Sequence, residues 1–135
     1  MKRIRAVVLT AAVIAGTAVA ATPAHAESWC QRGTGTLICE YGVAPWNTDR
    51  GVRMEFAVGT DYAAYVRTKT ASTSWSNWSS PGGKWQSSIV LDTNPQGYRN
   101  CEFGIMAMGQ GAKNYWINWY AWDGTRTGWR PWTGP

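Results

Sequence analysis

Residues 114–124 read NYWINWYAWDG and place three tryptophans and two tyrosines within eight residues. Successive side chains of a strand point to opposite faces of its sheet, so both faces of this segment would be aromatic. A strand of this kind must be covered on both sides, and we predict a central strand with Ile117 and Trp119 in the core. The alternation assigns Trp116, Asn118, Tyr120 and Trp122 to one face and Tyr115, Ile117 and Trp119 to the other.

Other segments show the same period of two, and none shows a convincing helical pattern. In Arg53–Val58 apolar and charged residues alternate, in Val66–Thr70 charges alternate with β-branched residues, and Ser88–Asp92 is typical of a short buried strand. Turn-forming residues separate these segments at 44–45, 80–83, 94–97 and 123–124. The pattern predicts an all-β fold, a small single domain of short antiparallel strands in a sandwich, barrel-like or propeller-blade arrangement.

The first 26 residues are typical of a secretory signal peptide. A basic start is followed by an apolar run at 6–19 and by Ala24-His25-Ala26, a small-x-small sequence that a signal peptidase accepts. The run is shorter than the ~20 apolar residues that span a bilayer, so a membrane anchor is not expected. Cleavage would leave residues 27–135 as one secreted, extracellular β-rich domain without membrane insertion.

The charge of this mature chain is close to balanced. Of the 13 basic residues three precede position 27, whereas none of the eight acidic ones does, which leaves a net charge near +2. No run of Lys and Arg remains that could neutralise a row of phosphates. Nucleic-acid binding is therefore not expected.

The single histidine, His25, would be removed with the signal peptide. Without an imidazole the chain has no Ser-His-Asp or Cys-His apparatus and no histidine-ligated zinc. Carboxylate pairs can cleave glycosides, but the spacing of the acidic residues singles out no pair. We therefore expect no enzyme activity, no cofactor and no metal site. The carboxylates considered are Glu40, Glu55, Asp61, Asp92, Glu102 and Asp123.

Cys30, Cys39 and Cys101 allow one disulfide and one leftover thiol, in three pairings. Cys30 with Cys39 ranks first, because residues 32–35 between them are typical of a turn that folds the segment back on itself. Cys39 with Cys101 ranks next. The remaining thiol would be buried or bonded to another chain.

Parts of the sequence repeat. Residues 39–43 (CEYGV) match 101–105 (CEFGI), residues 57–59 match 107–109, and residues 75–78 match 129–132, at offsets of 62, 50 and 54. The disagreement between these offsets leaves both a duplication and a chance similarity open. Two repeated units rarely bury all their faces alone, so a homo-oligomer is one expected outcome.

The stretch Phe56–Asp61, with Tyr65 and residues 75–83 (WSNWSSPGG), resembles one blade of the tryptophan-rich bacterial lectins that are built as β-propellers. The ending 119–124 (WYAWDG), with Trp129 and Trp132, is similar to two-repeat lectins that trimerise into a propeller. This resemblance implies sugar-stacking indoles at Trp75, Trp78, Trp129 and Trp132.

Ten tryptophans are too many for so small a domain to bury, and several are expected at the surface. Trp78, Trp129 and Trp132 are the expected ones, since each lies beside polar or turn-forming residues. A glycan-binding module would stack sugars on these indoles, with Asn77, Asp61 or Arg130 bonding to hydroxyls. The alternative is a protein-interaction subunit, such as an adaptor in a secreted toxin assembly or an inhibitor of an extracellular enzyme.

Overall fold

The computed structural model describes residues 27–95, 97–98 and 100–134, and the signal peptide predicted at 1–26 lies outside these residues. The described chain is all-β, as predicted, and its three small antiparallel sheets do not close into a barrel. No helix of this part of the chain is long and apolar enough to cross a membrane. The strands are β1 (Trp29–Arg32), β2 (Gly35–Ile38), β3 (Val43–Asn47), β4 (Arg53–Val58), β5 (Ala64–Lys69), β6 (Ser79–Gly82), β7 (Val90–Asp92), β8 (Phe103–Met108), β9 (Tyr115–Tyr120) and β10 (Arg130–Pro131).

Strands β1 and β2 form a two-stranded hairpin, which we call the N-terminal hairpin. The first sheet has the strand order β3-β4-β5-β6, and the second sheet has the order β7-β8-β9-β10. Strands that are consecutive in the sequence are neighbours in each sheet. Both four-stranded sheets are therefore up-and-down meanders, which short loops can connect.

The alternation predicted for Arg53–Val58 is confirmed, since Met54, Phe56 and Val58 are all buried on one face of β4. Strand β7 begins at Val90, two residues later than the sequence predicted. The reason lies in its partner strand, because the Met108 N–H that would continue the ladder donates instead to Ser87 Oγ at 2.9 Å.

The core lies where the two sheets stack face to face. The Phe56 ring of the first sheet contacts two rings of the second sheet edge-on, with centroid distances of 5.7 Å to Phe103 and 5.2 Å to Tyr120. The Trp46 indole stacks on Phe103 at 4.7 Å. Each large ring removes ~150 to 250 Å² of surface from water, so these contacts are the main source of sheet-to-sheet adhesion.

The aromatic segment at 114–124 contains β9, which lies between β8 and β10 as a central strand. Ile117 and Trp119 are 2% and 5% exposed, which confirms their predicted place in the core. Tyr120 lies on the opposite face and contacts the first sheet. The Tyr98 ring covers Trp119 from the outer side, with a centroid distance of 5.5 Å.

The two sheets are repeats of one unit at a constant offset of 50 to 51 residues. The turn after β4 has the bond from Tyr62 N–H to Gly59 O, and the turn after β8 has the bond from Ala112 N–H to Gly109 O. Thr68 N–H donates to Ser76 Oγ in the first sheet, and Trp119 N–H donates to Thr127 Oγ1 in the second. The sequence match of residues 57–59 with 107–109 joins equivalent positions.

The other two sequence matches do not join equivalent positions. Residues 39–41 form a 3₁₀ turn that leads into β3, whereas residues 101–102 lead into β8, the counterpart of β4. Near the end of each unit the structure aligns Trp78 with Trp129, three residues away from the register of the sequence match. The shared letters therefore gave a wrong offset at both places.

The predicted disulfide between Cys30 and Cys39 is present, with an S–S distance of 2.04 Å. It closes the N-terminal hairpin, which also receives the bond from Cys39 N–H to Ser28 O. Cys101 is a free, half-buried thiol. Burial raises the pKa of this thiol, and the nearby Arg130 opposes the shift only in part.

Candidate functional site

Trp78 and Trp129 have equivalent places in the two units. The Trp78 Nε1–H donates to Arg32 O in the N-terminal hairpin at 2.8 Å, and the Trp129 Nε1–H donates to Pro81 O in the first sheet at 3.1 Å. Each indole thus ties its own sheet to the unit before it in the chain. Both side chains are half-buried, with their only polar atom satisfied by the main chain.

The first cleft lies between the N-terminal hairpin and the first sheet and has a volume of about 450 Å³. Trp78 forms one wall, packed so closely on Gly35 that a Cβ there would lie 2.5 Å from the indole Cδ1. Only glycine therefore lets the indole reach this position. The lining residues are Thr34, Gly35, Thr36, Leu37, Gly59, Thr60, Asp61, Tyr65, Asn77 and Trp78.

Asp61 is the charged group of the first cleft, and two hydrogen bonds fix its carboxylate. Its Oδ1 accepts from Ala63 N–H at 3.1 Å, and its Oδ2 accepts from the Tyr65 hydroxyl at 2.8 Å. Burial by itself would raise the pKa of Asp61, but these bonds and the nearby Lys84 ammonium outweigh it and lower the pKa below its ordinary value. Asp61 is therefore ionised at neutral pH.

The second cleft lies between the first and second sheets and has a volume of about 350 Å³. Trp129 takes the place that Trp78 has in the first cleft, and its ring lies 4.1 Å from that of Trp85. Three indoles line this cleft, together with an ammonium group and one amide side chain. The lining residues are Gly83, Lys84, Trp85, Gly109, Gln110, Ala112, Trp116 and Trp129.

The two clefts correspond position by position. Gly59 and Gly109 lie 50 residues apart, as do Thr60 and Gln110, while Tyr65 and Trp116 lie 51 apart, as do Trp78 and Trp129. The hairpin lines the first cleft with residues 34–37, and the link between the sheets lines the second with residues 83–85. The fold therefore builds one kind of cleft twice.

Trp75 lies outside both clefts, beside an ion-paired cluster that the sequence did not reveal. The Arg67 Cζ lies 4.5 Å from the Trp75 ring centroid and 4.9 Å from that of Trp78. Glu55 accepts from Arg67 Nε at 2.8 Å and from Arg32 Nη2 at 2.6 Å. This cluster holds the N-terminal hairpin, and with it one wall of the first cleft, against the first sheet.

Arg130 and Trp132 line a third depression, of about 240 Å³, on the outer face of the second sheet. The Arg130 Nη1 donates to the Tyr98 hydroxyl at 2.6 Å, and the guanidinium lies over that ring. The sequence-predicted residues therefore fall into separate places, with Trp78 and Asn77 in the first cleft, Trp129 in the second and Trp132 with Arg130 in this depression.

The most exposed large apolar side chains are not the indoles that the sequence singled out. Trp78, Trp129 and Trp132 are half-buried, whereas Trp29 is 70% exposed. Trp122 is also exposed, at 38%, with Arg50 over its ring. A signal for Trp29 existed, because the spacing from Trp29 to Gly33 repeats that from Trp78 to Gly82.

Neither cleft holds two carboxylates among its described lining residues. Across 27–95, 97–98 and 100–134, no group of three or more His, Cys, Asp or Glu side chains comes together in a way that could hold a metal ion. No protein-family model matches the chain, and no curated protein matches it either.

Proposed function

We propose that the protein is a secreted, non-catalytic binding protein that recognises cell-surface glycans through its two clefts. The observation that carries the proposal is the repetition of one cleft at equivalent positions, each with an indole wall and polar groups at its mouth. Glycan sites combine an apolar ring face with a few fixed polar groups, which orient the hydroxyls. The resemblance to tryptophan-rich propeller lectins supports the same function.

The geometry of the indoles suits this function. Because Trp78 and Trp129 each spend their N–H on a main-chain carbonyl, their orientation is set before any ligand arrives. A prearranged wall avoids the cost of ordering a side chain during binding. Two clefts on one chain also raise the avidity for a surface that displays many copies of a sugar.

A matched pair of variants tests the proposal. Asn77 lies in the first cleft and Gln110 in the second, and both are exposed polar residues whose truncation leaves the core intact. On a glycan array, Asn77→Ala and Gln110→Ala should each weaken binding by roughly 2- to 10-fold, the effect of losing one hydrogen bond. Trp29→Ala, outside both clefts, should bind as the wild type does. Failure of the wild-type protein to bind any glycan would refute the proposal.

The second candidate function is protein interaction, and the exposure of Trp29 favours it. Trp29 begins β1, a strand whose four residues are all exposed and whose outer edge is unpaired in the described chain. Tryptophan is a favoured interface anchor, and an open strand edge can receive a partner strand. A pull-down from culture supernatant that Trp29→Ala abolishes, with glycan binding unchanged, would establish this function instead.

A homo-oligomer would need a different contact from the one between the two sheets. That contact uses Phe103, Ile105 and Tyr120, whereas the equivalent positions on the free face of the first sheet are Arg53, Glu55 and Lys69. Charged residues at those positions oppose the docking of another apolar sheet. Association of copies through Trp29 remains compatible with this arrangement, and light scattering of wild type against Trp29→Ala would detect it.

A further inference from the structure

The two clefts share a framework but differ in charge. The turn that carries Asp61 in the first cleft has the counterpart Gly109–Ala112 in the second, where Gly111 stands in the equivalent position. The segment across the cleft has Gly35 and Thr36 in the first, but Lys84 in the second. A carboxylate thus marks one cleft and an ammonium the other.

The first cleft is built to accept hydrogen bonds. Each carboxylate oxygen of Asp61 accepts one bond from the protein, and each can accept another from a ligand hydroxyl. The hydroxyls of Thr34, Thr36 and Thr60 add neutral donors and acceptors around it. A negatively charged ligand in this cleft would approach a fixed like charge, which is repulsive.

The second cleft offers the opposite chemistry. The Lys84 Nζ donates one hydrogen bond, to Asp61 O at 2.5 Å, and an ammonium has two further N–H donors for a ligand. Trp85, Trp116 and Trp129 supply a wide apolar surface. No carboxylate is among the described residues that line this cleft, so an anionic ligand meets attraction without an opposing charge.

We propose that the two clefts bind different sugars, the first uncharged hexoses through Asp61 and the second hexuronates through Lys84. In the second cleft the C–H face of the sugar ring lies on the indoles and its carboxylate pairs with the ammonium. This inference rests on the proposed glycan binding, and it makes the chain a bridge between neutral and acidic saccharides.

An array that carries hexose oligosaccharides and matched hexuronate oligosaccharides tests the inference. The wild-type protein should bind both classes. Lys84→Gln should weaken hexuronate binding by roughly 5-fold or more and leave hexose binding unchanged, since charge-assisted bonds are about twice as strong as neutral ones. Asp61→Asn should weaken hexose binding and leave hexuronate binding unchanged. Thermal melting confirms that each variant is folded.

A measurement on the wild type alone supplies a readout that needs no variant. Between 50 mM and 500 mM salt, hexuronate binding should weaken and hexose binding should not, because only the former includes an exposed ion pair. Binding of one class only, or equal weakening of both classes by either variant, would overturn the inference and leave the proposed function in place. Absence of all glycan binding would refute the proposed function itself.

Discussion

Replacement of Glu55 by leucine is the sharpest test of the cluster that holds the N-terminal hairpin. Glu55 is 7% exposed and neutralises Arg67, which is equally buried. Without Glu55, the Arg67 guanidinium is a buried charge with no anionic partner, and removal of one partner from such a pair costs ~3 to 5 kcal/mol. The second partner, Arg32, is half-exposed and adds little.

The cost should appear directly in thermal denaturation followed by circular dichroism. A domain of this size loses roughly 4 to 8 °C of melting temperature per kcal/mol, so Glu55→Leu should melt at least roughly 12 °C below the wild type. Arg67→Met made in the Glu55→Leu protein should recover part of the loss, because it removes the stranded charge. Asp49→Asn, an exposed control, should change nothing.

The pH dependence gives an independent measurement of the same pair. Hydrogen bonding from Arg32, followed by the contribution of Arg67, lowers the pKa of Glu55 against the opposing effect of burial. A lowered folded-state pKa contributes stability above the unfolded value of about 4.3, and this stability is lost as the pH falls through the folded-state value. Below about pH 4.3 the gap between wild type and Glu55→Leu should therefore narrow.

Two results would refute this reasoning. One is a melting temperature of Glu55→Leu within a degree or two of the wild type, which would mean that the ion pair contributes no net stability. The other is full additivity of Glu55→Leu and Arg67→Met in the double variant, since residues that share an ion pair should show coupling.

Three further outcomes follow from the packing and the thiols. Trp119→Ala should cost ~3 to 5 kcal/mol in urea denaturation because it empties a buried site, whereas Trp29→Ala should stay within ~0.5 kcal/mol; equal costs would contradict the assigned burial. Cys30→Ser with Cys39→Ser should destabilise the protein by ~2 to 3 kcal/mol and weaken ligand binding in the first cleft more than in the second. Maleimide should label native Cys101 far more slowly than the unfolded thiol, measured by intact mass, because its pKa is raised.

The sequence predicted those features that depend on local pattern. Alternation at Arg53–Val58 predicted a strand with Met54, Phe56 and Val58 on one buried face, and the turn between Cys30 and Cys39 predicted their disulfide. Such features follow from a few neighbouring residues, whose geometry the backbone fixes.

Features that depend on contact between the units were not predictable in the same way. The match of residues 39–43 with 101–105 is the best in the sequence, but hydrogen-bond register decides equivalence, and register is not visible in shared letters. Likewise, Trp78 and Trp29 have similar neighbours in the sequence. Trp78 is covered because the N-terminal hairpin precedes it in space, whereas no described residue covers Trp29 in the same way.

The bond from each indole to the unit before it also sets an order of assembly. The N-terminal hairpin can close by itself, because its cysteines are nine residues apart, and the first sheet can then dock onto it through Trp78. The apolar face around Phe56 has no cover until the second sheet has been made. Synthesis at ~5 to 20 residues per second leaves this face open for roughly 3 to 10 seconds. During that interval the nascent chain is at its most adhesive, and a chaperone that shields Phe56 would have its greatest effect on the yield of folded protein.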